Sequence, residues 1–189
     1  MKTQRLTGMA ILIAIIILLQ LFATFIPTPL AKITLTLIPI VIGGALYGVK
    51  AGALLGAVFS AVVFVCTLTG FGGVFSSMIL QKMPLQTIIL IMGKGTFAGL
   101  VSAFVFKYIK KKNVFAASVV SAAVCPVVNT GIYCLGMILV FKDVFLEFMG
   151  GGNIYALLLS MIGINFCIEF IVNIVLSSVI YRIISVKVK

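Results

Sequence analysis

Histidine and tryptophan are absent from this 189-residue chain, and only three carboxylates occur in it: Asp143, Glu147 and Glu169. Without imidazole there are no histidine proton relays, no Ser/His triads and no histidine metal sites. Three scattered carboxylates are too few for a carboxylate metal cluster or an ATPase centre, and no G-x-x-x-x-G-K-[ST] phosphate loop occurs. The four cysteines (Cys66, Cys125, Cys134 and Cys167) show no C-x-x-C spacing and lie inside apolar runs, where they read as small buried hydrophobes. Charge of any sign is sparse, at 9% of residues, whereas hydrophobic residues make up 63%. A water-exposed domain carries about 25% charged residues, so this balance excludes one. Spanning the hydrocarbon core takes about 20 helical residues, and the apolar content supplies about six such spans.

Six apolar runs occupy the chain: Leu6–Ile26, Ile33–Tyr47, Ala51–Leu68, Thr87–Phe106, Val114–Phe141 and Ile154–Ile184. The first stops at Pro27 and Pro29 and lacks an A-x-A-like cleavage site, so it reads as a retained helix rather than a signal peptide. The expected fold class is therefore an all-α polytopic membrane protein, with residues 1–189 forming one six-helix transmembrane domain. With the N-terminus cytoplasmic, the inner side holds Lys2, Arg5, Lys50, Lys107, Lys110, Lys111, Lys112, Arg182, Lys187 and Lys189. The outer side holds only Lys32, Lys82 and Lys142. This asymmetry sets both termini in the cytoplasm and accounts for most of the net charge of +11. Basic residues so placed meet anionic lipid headgroups, and nucleic acid is not an expected partner.

Small residues recur every fourth position at Gly44, Gly48, Gly52 and Gly56, and again at Gly95 and Gly99. This spacing stacks them on one helix face and lets backbones approach closely. A weaker pair, Ala10 and Ala14, sits near the inner end of span one. Polar groups inside the spans are more specific. An ionisable side chain at mid-bilayer costs roughly 2.5–3.5 kcal/mol on insertion scales and marks function by default. Span four contains Lys94, span five Asn129, and span six Asn165, Glu169 and Asn173 at i, i+4 and i+8. Counted from the outer ends, Lys94, Asn129, Asn165 and Glu169 fall at similar depths in the outer half of the membrane. Two readings follow from the residues alone. In one, Lys94 and Glu169 form a buried pair with the asparagines as interhelical glue. In the other, Lys94 meets an anionic group of a small ligand, Asn129 and Asn165 bond its amide or hydroxyl groups, and Glu169 orients Lys94 in an outward-opening pocket. The connection Thr69–Gln86 carries Gly70, Phe71, Gly72 and Gly73, followed by Phe75 and Lys82, and reads as a flexible lid or a plain surface loop.

Taken with the six short-looped spans, four motifs carry a resemblance that covers essentially the whole chain. They are Ala10-Ile-Leu-Ile-Ala14, the stretch Leu35–Gly52 with its Ile38-Pro39-Ile40 and Gly43-Gly44-Ala45-Leu46-Tyr47-Gly48, Cys125-Pro126-Val127-Val128-Asn129-Thr130, and Asn165 with Glu169. The chain resembles the substrate-binding S components of energy-coupling factor vitamin transporters. The resemblance implies a vitamin bound in the outer half of the membrane beneath loops, and with the ligand reading above it makes Lys94, Asn129, Asn165, Glu169, Phe71, Phe75 and Lys82 the expected substrate-site residues. It also implies docking through Ala10 and Ala14 on a transmembrane coupling subunit shared with two ABC-type ATPases. No cofactor and no metal are expected, and the chain is not expected to be an enzyme. A single embedded lysine favours a small carboxylate-bearing vitamin, pantothenate first, with folate, niacin and riboflavin as alternatives. A self-sufficient ion-coupled carrier is the competing class, although no internal halves are visible in the sequence.

Overall fold

The computed structural model describes residues 2–25 and 35–188. Its described elements are all helical: α1 (Lys2–Phe25), α2 (Leu37–Tyr47), α3 (Val49–Leu68), α4 (Val74–Lys82), α5 (Pro84–Ile109), α6 (Val114–Leu139), α7 (Lys142–Phe148) and α8 (Ile154–Val188). Five helices are long and apolar enough to cross a bilayer, contributed by α1, α3, α5, α6 and α8. The sixth apolar helix, α2, has 11 residues. At about 1.5 Å per residue it reaches roughly half the hydrocarbon thickness. The second span's expected start at Ile33 lies outside the described residues.

Glycine decides how the centre packs. A Cβ added to Gly52 would lie 2.5 Å from the Gly99 carbonyl oxygen, 2.8 Å from the Ala103 Cβ and 3.3 Å from the Gly44 Cα. Gly56 and Gly95 abut in the same way one turn further out, backbone against backbone. The four-residue spacing on α3 and α5 thus brings these two helices into direct main-chain contact, Cα–H groups facing carbonyl oxygens, and Gly44 lets α2 close on both at Gly52 and Ala103. Pair by pair, α3 lies on α5, α5 on α6 and α6 on α8, with α2 inserted among α1, α3, α5, α6 and α8. At the inner end, Gly8 admits the Tyr47 ring and the Arg5 guanidinium donates to the Tyr47 carbonyl at 2.9 Å, which ties α1 to the end of α2.

The segment expected as a flexible loop, Thr69–Gln86, is mostly helical, because α4 fills it and α5 begins at Pro84. Gly70 and Gly73, with φ of 80° and 97°, make the turn into α4 that other residues adopt only with strain. Span five ends close to its expected end at Phe141, and a further short helix occupies the connection after it. Helix α6 stops at Leu139, and α7 follows as a separate short helix. Phe75 of α4 packs edge-on against Phe145 of α7, with ring centroids 5.4 Å apart, and against Phe148 at 5.1 Å. The two short helices therefore form one aromatic cap on the outer end.

Candidate functional site

Two hydrophobic cores stack along the bundle rather than one. The inner core joins Leu12, Ile16, Ile40, Leu55, Phe59, Ala98, Phe106, Cys125 and Ile180, and the outer joins Phe75, Ile79, Leu90, Met137, Phe141, Phe145 and Leu158. Between them lie the polar residues of three helices. On α5 the gap between Leu90 and Ala98 contains Lys94. On α6 Asn129 occupies it, and on α8 Glu169 and Asn173 follow Phe166.

Contacts along α5 and α6 fix the register of this layer. Leu90 packs against Gly136, the Lys94 ammonium lies 4.9 Å from the centroid of the Tyr133 ring, and Cys125 lies beside Ser102. Each turn inward on α5 thus matches a turn back along α6, and Asn129 falls level with Ala98, one turn below Lys94. Phe115 meets Tyr181 edge-on at 5.4 Å and fixes α6 against α8 in the same way. Counting outward from that pair puts Glu169 level with Val127, and Asn129 between the levels of Glu169 and Asn165. Lys94 and Glu169 are close enough for their charges to interact. Asn173 donates from Nδ2 to the Glu169 carbonyl at 2.8 Å. Pro126 contributes from within α6, because it lacks the N–H that would bond the Ala122 carbonyl, one turn from Asn129.

Burial makes this layer costly. Asn129 is 7% exposed and Glu169 6%. The side-chain oxygens of Asn129 and Asn173 are buried with no hydrogen-bond partner among the described residues, as are the Ser60 and Ser102 hydroxyls. A buried polar atom without a partner costs about 1–3 kcal/mol, so each such atom calls for a reason. Chemically the layer offers one cation, one carboxylate and amide groups at neighbouring depths, which suits binding of a small polar molecule. Among the described residues no group of three or more His, Cys, Asp or Glu side chains is placed to hold a metal ion.

The remaining expected site residues lie apart from this layer. Phe75 is buried in the outer core, and Lys82 forms an ion pair with Glu147 at the outer surface, joining α4 to α7 a second time. Phe71 is 58% exposed in the turn before α4. Ala10 and Ala14 are both exposed on α1, while Leu12 and Ile16 on its opposite side enter the inner core. Sequence reasoning missed Tyr133. It stands one turn from Asn129 on the same helix, so an aromatic at i+4 from a buried amide was the available signal.

A multi-pass α-helical membrane protein with a polar layer sealed between two apolar cores is the class these observations define. The family of the substrate-specific components of ECF transporters matches residues 4–181, and the chain belongs to that family. No curated protein matches the chain. Members of this family bind a small substrate and work with a coupling subunit and ATPases; they are transporter components of the cell membrane and not enzymes.

Proposed function

We propose that the chain captures a small, carboxylate-bearing vitamin, pantothenate first among the candidates, from the outer side of the membrane. Lys94 meets the carboxylate, steadied over Tyr133. Asn129 and Asn165 bond the hydroxyl and amide groups of the ligand, and Glu169 neutralises Lys94 in the empty state. Phe71, Phe75 and Lys82 take part through the outer cap that the ligand must pass. Ala10 and Ala14 form the docking face for the coupling subunit, which acts with two ABC-type ATPases. The observation that carries this reading is the unpartnered Asn129 oxygen within a layer that also holds a lysine. In a finished apolar bundle both would be a net cost, whereas a polar ligand turns them into affinity.

Native mass spectrometry of the purified protein, followed by calorimetric titration with pantothenate, folate, niacin and riboflavin, tests it. Saturable binding of pantothenate that is lost in Lys94→Ala supports the reading. Tight binding of an uncharged vitamin that Lys94→Ala leaves intact overturns the assignment of Lys94. Proteoliposomes then separate the transport classes: uptake driven by an ion gradient through this chain alone would mean a self-sufficient carrier.

A further inference from the structure

A cavity lies at the inner end of the bundle, well away from the polar layer. It is a groove of about 490 Å³ where α2, α5, α6 and α8 converge, with Leu46, Phe106, Val114 and Ile184 in its walls and Lys110 and Lys111 among its lining residues. Phe106 and Ile184 are buried members of the inner core, so the floor of the groove is fixed. The Lys110 ammonium lies 5.9 Å from the centroid of the Phe106 ring, so the aromatic wall and one of the cations are adjacent.

Among the described residues no carboxylate side chain lies at this end of the bundle to answer the charge. Lys107 and Lys112 flank the pair in sequence, whereas Asp143 and Glu147 belong to α7 at the outer end and Glu169 to the mid-membrane layer. Two exposed lysines above an apolar slot, at the level where helices leave the hydrocarbon, match an amphiphile with a phosphate at one end and a hydrocarbon chain at the other. We propose that this groove is a binding site for an anionic phospholipid. The phosphate lies between Lys110 and Lys111, and an acyl chain follows Leu46, Phe106, Val114 and Ile184 into the groove. Free phosphate satisfies the lysines but leaves the apolar walls in water. The groove sits where the helices leave the hydrocarbon, so lipid surrounds it continuously, which favours a lipid over an acidic segment of a protein partner.

The test uses the full-length protein in neutral detergent, titrated with dioleoylphosphatidylglycerol, dioleoylphosphatidylcholine or inorganic phosphate and read by native mass spectrometry. The expected result is one phosphatidylglycerol retained in preference to phosphatidylcholine. Affinity should fall roughly thirtyfold in the Lys110→Ala, Lys111→Ala double variant, at the usual strength of a lysine near an anionic lipid surface. Lys50→Ala, which removes a charge on the same side but outside the groove, should leave it unchanged. Leu46→Trp fills the groove without touching its charge and should also displace the lipid; should that variant fold poorly, the lysine pair still decides. Equal retention of both lipids, unchanged affinity in the double variant, or occupation by phosphate alone at matched concentration overturns the proposal. So does an absence of bound lipid while the lysine pair matters only for assembly with the coupling subunit.

Discussion

The same chemical change, glycine to alanine inside a transmembrane helix, should have opposite effects at two positions. At Gly52 the added methyl meets three atoms from two other helices, the nearest a main-chain oxygen at 2.5 Å and the next the Ala103 Cβ at 2.8 Å. Ordinary carbon contacts begin near 3.5 Å, so α3 has to move about 1 Å from α5 and α2. None of the opposing atoms is the far end of a flexible side chain. Overpacking of this kind costs about 2–3 kcal/mol, and about 1 kcal/mol returns because alanine favours the helix. The net loss of about 1–2 kcal/mol corresponds to a fall in Tm of about 2–8 °C for a chain of this size. At Gly93 a Cβ meets nothing within 4 Å, and the position shares its stripe of α5 with the exposed Ile89 and Phe97. Gly93→Ala should therefore raise Tm by about 1–4 °C, through the unfolded chain's lost freedom alone. A thiol-reactive fluorophore reads both melts in a Cys134→Ser, Cys167→Ser background, because the exposed Cys167 and half-buried Cys134 are then removed and the buried Cys66 and Cys125 react only on unfolding. If Gly52→Ala stabilises the protein as Gly93→Ala does, the main-chain contact of α3 with α5 is wrong, and with it the placement of Lys94.

Lys94→Ala is expected to weaken ligand binding by about 1.5–3 kcal/mol in calorimetry, the worth of a hydrogen bond to a charged group. Asn129→Leu should leave the empty protein as stable or up to about 1 kcal/mol more stable, by removing an unpartnered oxygen, while ligand affinity drops at least about tenfold. Phe75→Ala should loosen the cap formed with Phe145 and Phe148 and show as a faster ligand off-rate in stopped-flow measurements, with an apparent destabilisation of about 3 kcal/mol. Ala14→Trp, on the exposed side of α1, should abolish uptake in reconstituted vesicles while binding stays intact.

The long helices were legible because their signal is long: runs of about 20 apolar residues have few alternative readings in a bilayer. The four-residue glycine spacing was readable as close packing, and Gly52 with Gly56 on α3 and Gly95 with Gly99 on α5 use it so. Gly48 does not continue the series on one face, because it makes the turn between α2 and α3 with φ of 92° and a Cβ there would meet nothing within 4 Å. The cap was not legible. Val74–Lys82 is too short for a periodic pattern to declare itself, and the glycines before it dominate the local composition, so the segment reads as loop. What makes α4 a helix is tertiary, the burial of Phe75 and Ile79 in the outer core. For the polar layer, the i, i+4, i+8 spacing on α8 identified one face from sequence alone. Which side chains of α5 and α6 meet it depends on interhelical register, which no single helix encodes. Tyr133 is the clearest case, since in sequence it is one aromatic within an apolar run and only the α5–α6 register brings it beneath Lys94.

Charge balance within the layer limits what it can bind. Lys94 and Glu169 are the two formal charges of opposite sign in the interior, and together they cancel. A carboxylate arriving at Lys94 faces repulsion from Glu169, and at a separation of about 10 Å with an effective dielectric of about 20 this amounts to about 1–2 kcal/mol. In the proposed site Glu169 therefore weakens the binding of an anionic ligand, and Lys94 offsets that repulsion by direct contact with the carboxylate. Replacing Glu169 with glutamine keeps the shape and the amide contacts but removes the repulsion. Glu169→Gln should then tighten a carboxylate ligand by about five- to thirtyfold while weakening one that carries an amine, both read by calorimetric titration against the unmodified protein. Pantothenate requires the first outcome. A loss of pantothenate affinity in Glu169→Gln would mean that the glutamate itself contacts the ligand and that Lys94 serves as its counter-ion rather than as the anchor.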